Sequence, residues 1–177
     1  MRPKLLLILF GGLMIGIGIG IAILLGFGSF SNDEKSEIAL GSSAPEFISK
    51  TYLGDEIELN DYKGSPVLIN FWATWCQPCR LEMPSLQARF DQYNADINVV
   101  AVNFDEPAEL VQSFAEDLDL TFPILLDPGG RIQSLYQIRG YPTTFLIDSD
   151  GIIRVIHIGY MTENQLDDYL KQVGVGG

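Results

Sequence analysis

Residues 67–79 of this chain read VLINFWATWCQPC, an apolar run of strand length that leads directly into two cysteines separated by two residues. Cys76 and Cys79 are the only cysteines in the sequence. A gap of two residues lets the pair close a small disulfide ring, and it leaves a mixed disulfide on the first sulfur within reach of the second. The spacing therefore indicates a reversible redox couple.

Two other uses of this cysteine pair are disfavoured by the rest of the chain. A structural zinc site needs about four ligands, whereas the sequence offers one cysteine pair and one distant histidine, His157. A purely structural disulfide across so short a loop removes little entropy from the unfolded chain. We therefore expect thiol exchange, with no metal and no bound cofactor.

A long apolar segment precedes the part of the chain that carries the cysteines. Residues 5–27 contain no charged side chain, and about 20 apolar residues suffice to cross a bilayer as a helix. Arg2 and Lys4 precede the segment and acidic residues follow it, which by the positive-inside rule leaves the N-terminus in the cytoplasm. We predict a cytoplasmic N-terminus at 1–4, a transmembrane anchor at 5–27, and a single-pass cell-membrane protein with an extracytoplasmic catalytic domain. A cleaved signal peptide is the alternative, although its apolar region is normally shorter.

The remainder of the chain divides into a linker and one folded domain. Residues 28–42 are small, polar and charged without an apolar period, which is typical of a linker, and residues 43–175 form the predicted domain. All 23 acidic residues follow residue 27, and the chain has a net charge of −12. Such a surface disfavours binding to nucleic acid and docking on anionic lipid. Disulfides persist on the extracytoplasmic side of membranes, so the predicted topology and the cysteine pair agree.

Strand patterns alternate with helix patterns through the predicted domain. The alternation ends in a hairpin and a helix, which predicts an α/β fold whose central mixed sheet has a parallel centre, an antiparallel edge and flanking helices. No glycine-rich phosphate loop and no serine nucleophile elbow follow the strands, so nucleotide and acyl-transfer chemistry lose support. We predict an N-terminal hairpin at 47–50 and 56–59, further strands at 67–71, 97–103, 121–126, 143–148 and 152–158, and helices at 77–94, 107–118, 131–136 and 162–173.

Three stretches of the domain match a known family: NFWATWCQPCR at 70–80, EMP at 82–84 and GYPTTFLID at 140–148. With them the chain resembles the thioredoxin superfamily, and within it the membrane-anchored thiol-disulfide oxidoreductases of the TlpA/ResA type, which carry a redoxin domain. The resemblance extends over about residues 43–173. Because the cysteine motif and the downstream Gly-x-Pro-Thr-Thr-Phe stretch occur together, it is more specific than a CxxC motif alone. It implies a thioredoxin-like fold.

The resemblance also implies roles for the residues around the cysteines. Cys76, at the start of a helix, is the expected nucleophile, because the helix dipole and unpaired backbone amides favour its thiolate. Cys79 is the resolving thiol that attacks the mixed disulfide. Glu82 follows three residues later on nearly the same helix face, and it is expected to alter the ionisation of the cysteines or to carry their proton. An exposed glutamate that merely favours the helix dipole is the alternative for Glu82.

Four further residues are implied in partner binding: Trp75, Pro78, Tyr141 and Pro142. In the superfamily the proline that matches Pro142 is cis and lies against the disulfide, and the residue before it offers backbone hydrogen bonds to an extended partner segment. Trp75 is expected to cover the disulfide. His157 is expected at a solvent-facing strand position rather than as a catalytic base.

The implied function is a disulfide reductase or exchange enzyme that acts on extracytoplasmic protein thiols or disulfides. Apocytochrome c is the candidate client, and a membrane thiol protein is the expected electron donor. The dipeptide Gln77-Pro78 between the cysteines tunes the redox potential, so the choice between oxidant and reductant stays open at this point.

Two other functions occur on similar folds. A thiol peroxidase of the peroxiredoxin type needs Pro-x-x-x-Thr/Ser-x-x-Cys, but the chain has Ile69 and Ala73 at the proline and Thr/Ser positions. A copper-delivery module uses two more widely spaced cysteines and a histidine, and His157 lies in no matching motif. Both alternatives are therefore disfavoured.

Overall fold

Strands and helices alternate through residues 38–93 and 95–176, the part of the chain that the computed structural model describes. Short 3-10 turns at Leu59–Tyr62 and Pro128–Gly130 follow the second and fifth strands. The main elements in chain order are β1 (Ile48–Lys50), β2 (Glu56–Glu58), β3 (Val67–Trp72), α1 (Gln77–Tyr93), β4 (Asn98–Phe104), α2 (Ala108–Asp117), β5 (Ile124–Asp127), α3 (Arg131–Leu135), β6 (Thr143–Ile147), β7 (Ile153–Ile158) and α4 (Glu163–Gln172).

The predicted N-terminal segment and anchor, and the linker as far as residue 37, lie outside the described residues. Among the residues that are described, no helix is both long enough and apolar enough to cross a bilayer.

A mixed sheet of five strands carries the fold, in the order β5-β4-β3-β6-β7. β3 runs parallel to β4 and β4 parallel to β5, whereas β6 is antiparallel to both β3 and β7. β1 and β2 pair separately as an antiparallel hairpin. The predicted parallel centre, antiparallel edge and N-terminal hairpin are confirmed. Because β3 and β4 are parallel neighbours, the loops that follow them lie next to each other at the carboxyl ends of these strands.

β3 is the central strand, and all six of its residues are buried. Leu68 and Trp72 pack into the cluster on one face of the sheet, while Ile69 and Phe71 pack into the cluster on the other. Alternate residues of a strand point to opposite faces, so a strand that is covered on both sides reads as a continuous apolar run. The polar exception is Asn70, which is buried in this strand.

Two stretches differ from the prediction. β5 begins at Ile124 rather than at Thr121, directly after Pro123, which has no backbone N–H to contribute to a strand ladder. Leu59, predicted as the last residue of the hairpin, instead begins the 3-10 turn Leu59–Tyr62, which is closed by reciprocal hydrogen bonds between Glu58 and Asp61.

Gly130, in the turn after β5, lies against Phe104 at the end of β4. Its φ of +67° is in the left-handed region, and a Cβ built on it would lie 2.7 Å from Cε2 of Phe104. Gly129 has a similar φ of +72°, but a Cβ there would have no neighbour within 4 Å. The two glycines therefore separate the effect of backbone strain from the effect of crowding.

We expect the Gly130→Ala substitution to lower the free energy of unfolding by about 2–3 kcal/mol, because it adds a clash to backbone strain. Gly129→Ala, which adds strain alone, should lower it by about 1 kcal/mol. Urea denaturation of both variants measures the difference. Equal midpoints would show that the contact with Phe104 does not require a glycine.

Candidate active site

Cys76 and Cys79 are joined by a disulfide at the junction of β3 and α1. Cys76 lies just before the helix and is 5% exposed, whereas Cys79 lies in its first turn and is 0% exposed. The backbone N–H of Cys79 donates a hydrogen bond to the Cys76 sulfur over 3.2 Å. The amides of a first helical turn have no partner within the helix, and here one of them is directed at the sulfur that would carry a thiolate charge.

A cleft of about 590 Å³ opens beside Cys76, and Cys79 is not among its lining residues. Trp75, whose side chain is 65% exposed, stands edge-on to Tyr141 with 5.6 Å between ring centroids. The residues that line the cleft are Trp75, Cys76, Gln77, Pro78, Ile138, Arg139, Gly140 and Tyr141. The structure thus brings together Cys76 and three of the four residues predicted to bind the partner.

The fourth predicted residue, Pro142, directly follows the cleft. It is buried immediately before β6, and the bond between Tyr141 and Pro142 is cis. The Tyr141 hydroxyl forms a hydrogen bond with Oε1 of Gln133 on α3, and its ring packs against Phe104 at a centroid distance of 5.9 Å. Tyr141 is therefore held in place by two elements that lie outside the cysteine motif.

Glu82 is buried in α1, with 1% of its surface exposed. Its Oε1 accepts a hydrogen bond from Nδ2 of Asn70 over 2.9 Å, and its Oε2 accepts one from the backbone N–H of Met161 over 2.7 Å. Asn70 Nδ2 also donates to Oγ1 of Thr144 over 2.9 Å. The exposed alternative for Glu82 is therefore wrong.

Burial raises the pKa of Glu82 to about 7, since the charged carboxylate loses its hydration. The hydrogen bonds from Met161 and Asn70 favour the carboxylate and offset part of that rise. A carboxyl group with a pKa near neutrality can both take up and release a proton at physiological pH. Glu82 is thus suited to proton exchange with a neighbouring thiol.

Glu106 is a residue of this region that the sequence analysis missed. Its Oε2 accepts hydrogen bonds from the backbone N–H of Thr74 and from Nδ2 of Asn103, each over 2.7 Å, and its Oε1 accepts one from the Thr74 hydroxyl over 2.5 Å. These bonds tie the loop that carries Cys76 to the loop after β4. The only signal for Glu106 in the sequence was its position just after a predicted strand. This position becomes informative once β3 and β4 are known to be parallel neighbours, because the loops after them then lie side by side.

Metal binding finds no support in the described part of the chain, where no three His, Cys, Asp or Glu side chains are grouped to hold an ion. His157 lies on β7 and is half-buried rather than fully facing solvent. Its ring packs on Tyr169 of α4, with 5.6 Å between centroids, and it does not line the cleft beside Cys76.

A scan against known protein families matches the AhpC/TSA family over residues 40–156. The chain belongs to the AhpC/TSA family. Its relatives include thioredoxin-like protein YneN of Bacillus subtilis (strain 168), which is 41% identical over 161 residues, covering 86% of this chain and 94% of the relative. Thiol-disulfide oxidoreductase ResA of Bacillus cereus (strain ATCC 10987 / NRS 248) is 39% identical over 173 residues, covering 97% of this chain and 94% of ResA.

Solved structures place this AhpC/TSA domain among thioredoxin-like proteins. A DsbE-type thiol:disulfide interchange protein from Chlorobium tepidum superposes with a TM-score of 0.72 at 33% identity, over 78% of this chain and 100% of that protein. StoA from Bacillus subtilis superposes with a TM-score of 0.62 at 34% identity, over 71% and 96% of the two chains. The thioredoxin-like fold and the predicted class of enzyme, a thiol-disulfide oxidoreductase, are confirmed.

Although it belongs to the AhpC/TSA family, the chain lacks the peroxiredoxin motif around Cys76. Ile69 lies buried in the middle of β3, and Ala73 is buried directly after it. No hydroxyl therefore stands at the position three residues before Cys76, where the peroxiredoxin motif requires one.

Proposed function

We propose that this thiol-disulfide oxidoreductase is a membrane-tethered, extracytoplasmic disulfide reductase, in which the Cys76–Cys79 pair passes two electrons to disulfides in protein clients. The supporting observation is the asymmetry of the pair. Cys76 lies at an open cleft beside an exposed tryptophan, whereas Cys79 is fully buried behind it. A protein client can therefore reach one sulfur while the other is kept for the second step.

The reaction begins with the reduced pair. The Cys76 thiolate attacks one sulfur of the client disulfide, a mixed disulfide forms, and the other client sulfur leaves as a thiolate. The Cys79 thiol then loses its proton and attacks the Cys76 sulfur, which closes the intramolecular disulfide and releases the second client thiolate. The client disulfide is reduced to two thiols, and the pair is oxidised by two electrons.

Glu82 supplies the acid and base of this sequence. It follows Cys79 by three residues on α1, so the two side chains share one face of the helix, and both are buried. With a pKa of about 7, the carboxylate takes the proton of the Cys79 thiol as that sulfur attacks. The carboxylic acid returns the proton when an electron donor reduces the pair again.

The client binds along the cleft as an extended segment. Trp75 and Tyr141, whose rings pack edge-on, offer aromatic surface in the cleft that Cys76 and Pro78 also line. Aromatic side chains provide large contact areas to a partner. The cleft therefore selects protein clients over small thiols.

The sequence supports the proposed location and client. The uncharged segment 5–27 and the charges that flank it support a single-pass anchor with the domain outside the cytoplasm. The match to ResA covers 97% of the chain, so it includes most of that segment. The resemblance to the TlpA/ResA type favours apocytochrome c as the client and a membrane thiol protein as the donor.

Trapping of the mixed disulfide tests this proposal. The full-length Cys79→Ser variant, expressed in its native membrane, cannot resolve the adduct on Cys76, so we expect the client, and a donor whose oxidised disulfide Cys76 attacks, to remain covalently attached until a thiol reductant releases them. Mass spectrometry identifies both. The Cys76→Ser/Cys79→Ser double variant is the control and should trap neither.

Apocytochrome c among the trapped proteins would support the proposed client. If the trapped proteins were exclusively cytoplasmic, the proposed topology would be wrong. If no protein were trapped although Cys76 remains reactive to alkylation, proteins would not be the clients.

A further inference from the structure

We infer that His157 acts on Glu82 through one peptide group, the one that joins Tyr160 to Met161. The imidazole binds the carbonyl of this peptide, and the N–H of the same peptide binds the carboxylate. His157 is thus a positioning residue for the proton-exchanging group. Only the catalytic role of this contact rests on the proposed function.

Both ends of the connection are defined by the structure. The Met161 N–H donates to Oε2 of Glu82 over 2.7 Å. The Tyr160 carbonyl oxygen, which belongs to the same peptide, lies 3.3 Å from Nε2 of His157. On the far side of the ring, Nδ1 lies 3.2 Å from the Tyr169 hydroxyl. A continuous chain of contacts therefore runs from Tyr169 on α4 to the buried carboxyl on α1.

The chemistry of the partners assigns the proton on the imidazole. A carbonyl oxygen can only accept a hydrogen bond, so the nitrogen that faces Tyr160 must carry the hydrogen. In the neutral ring Nδ1 is then an acceptor, and the Tyr169 hydroxyl donates to it. In this arrangement both imidazole nitrogens have a partner: Nε2–H donates to the Tyr160 carbonyl and Nδ1 accepts from Tyr169. The neutral His157 is therefore the Nε2–H tautomer.

A hydrogen bond to a peptide carbonyl polarises the whole peptide and makes its N–H a stronger donor. A stronger donor to Oε2 stabilises the charged form of Glu82 over the neutral form. The Asn70 amide from β3 also donates to the Glu82 carboxyl, and Cys79 is buried three residues earlier on the same helix. His157 meets Tyr169 from α4 and the Tyr160 carbonyl from the loop. The donor on His157 therefore lowers the pKa of Glu82 from outside the cleft.

A direct titration of Glu82 tests the inference. Full-length protein in detergent is labelled with ¹³C at the glutamate carboxyl carbon and kept in the disulfide form, so that no thiol titrates. The Glu82→Gln variant assigns the signal. In His157→Phe, which keeps an aromatic ring on Tyr169 but has no donor, we expect the Glu82 pKa to rise by about 0.2–0.4 pH units.

Two further variants serve as controls. His157→Gln retains an N–H donor and should restore most of the shift. Ile158→Val alters the neighbouring exposed position of β7 and should leave the Glu82 pKa at the wild-type value. An unchanged pKa in folded His157→Phe, or an equal rise in Ile158→Val, would overturn the inference.

The wild-type protein provides a test that depends on no variant. Imidazole ¹⁵N chemical shifts report the tautomer of His157, and we expect a proton on Nε2 in the neutral ring. A proton on Nδ1 would break the chain of contacts and overturn the inference. All these measurements use the disulfide form without turnover, so they can succeed even if Glu82 proves to have no role in thiol exchange.

Discussion

Cys76→Ser is expected to lower the rate of insulin-disulfide reduction, with dithiothreitol as the electron donor, by about 10³-fold or more, the scale of loss seen when an enzyme loses its nucleophile. A serine hydroxyl cannot ionise near neutral pH and cannot form a mixed disulfide, so the first step of the reaction is removed. The reduction of insulin followed by turbidity measures the effect. The fold should remain intact, because the side chains differ by one atom and Cys76 lies at the edge of the cleft.

The Cys79→Ser variant provides the matched comparison for this prediction. It keeps the nucleophile at the cleft, so it should still form one adduct per protein, but it should fail to release that adduct. Reduced wild-type protein should be alkylated first at Cys76, because Cys79 is fully buried. Full insulin reduction by Cys76→Ser would falsify the assignment of the nucleophile.

Much of the fold was predictable because its signals are local. The buried run of β3 and the cysteine motif are adjacent in sequence, so their junction could be recognised without knowing the tertiary structure. The turn between β6 and β7 and the reciprocal cap of α4 by Thr162 and Gln165 are also local. In such segments the sequence neighbours are also the structural partners, and pattern alone suffices.

The missed contacts join residues that are distant in sequence. Glu82 is bound by Met161, 79 residues away, and Glu106 binds Thr74 across 32 residues. Apart from its position after a predicted strand, nothing in the sequence distinguishes Glu106 from the other acidic residues. Its role depends on the parallel pairing of β3 and β4, which the apolar runs do not encode. His157 was predicted to face solvent for the same reason, since its partner Tyr169 lies on another element.

The burial of Glu82 should make the domain less stable as the pH rises through the range from about 4.5 to about 7. Below this range the carboxyl group is protonated in the folded and the unfolded chain, so it has no effect on the free energy of unfolding. Within the range the unfolded chain has released the proton while the folded chain still holds it, because burial raises the folded pKa from 4.5 to about 7. Stability therefore falls with pH, by about 3 kcal/mol for this group alone, and levels off above pH 7.

Glu82→Gln removes this titration and keeps a side chain of the same shape. We expect the free energy of unfolding of the variant, relative to wild type, to increase by about 3 kcal/mol between pH 4 and pH 8. Urea denaturation of the disulfide form at several pH values measures this change. Because only the pH dependence of the difference between variant and wild type is compared, an effect of the amide that is the same at every pH cancels. Glu56→Gln, at an exposed position in β2, is the control and should follow the wild-type curve. Parallel curves for Glu82→Gln and wild type would show that the carboxyl group is already charged at pH 5 in the folded protein.

Glu82→Gln also separates the effect of Glu82 on stability from its role in proton exchange. If the carboxyl group exchanges a proton with Cys79, Glu82→Gln should slow insulin reduction at pH 7 by about 10²-fold, while its stability relative to wild type should be higher at pH 7 than at pH 4. The wild-type pH profile should show an inflection near pH 7 that the variant lacks, because an amide at position 82 cannot take up the proton. A variant that gains stability relative to wild type between pH 4 and pH 8 yet stays fully active would show that the carboxylate takes no part in the exchange, and the proton would then pass directly between Cys79 and water.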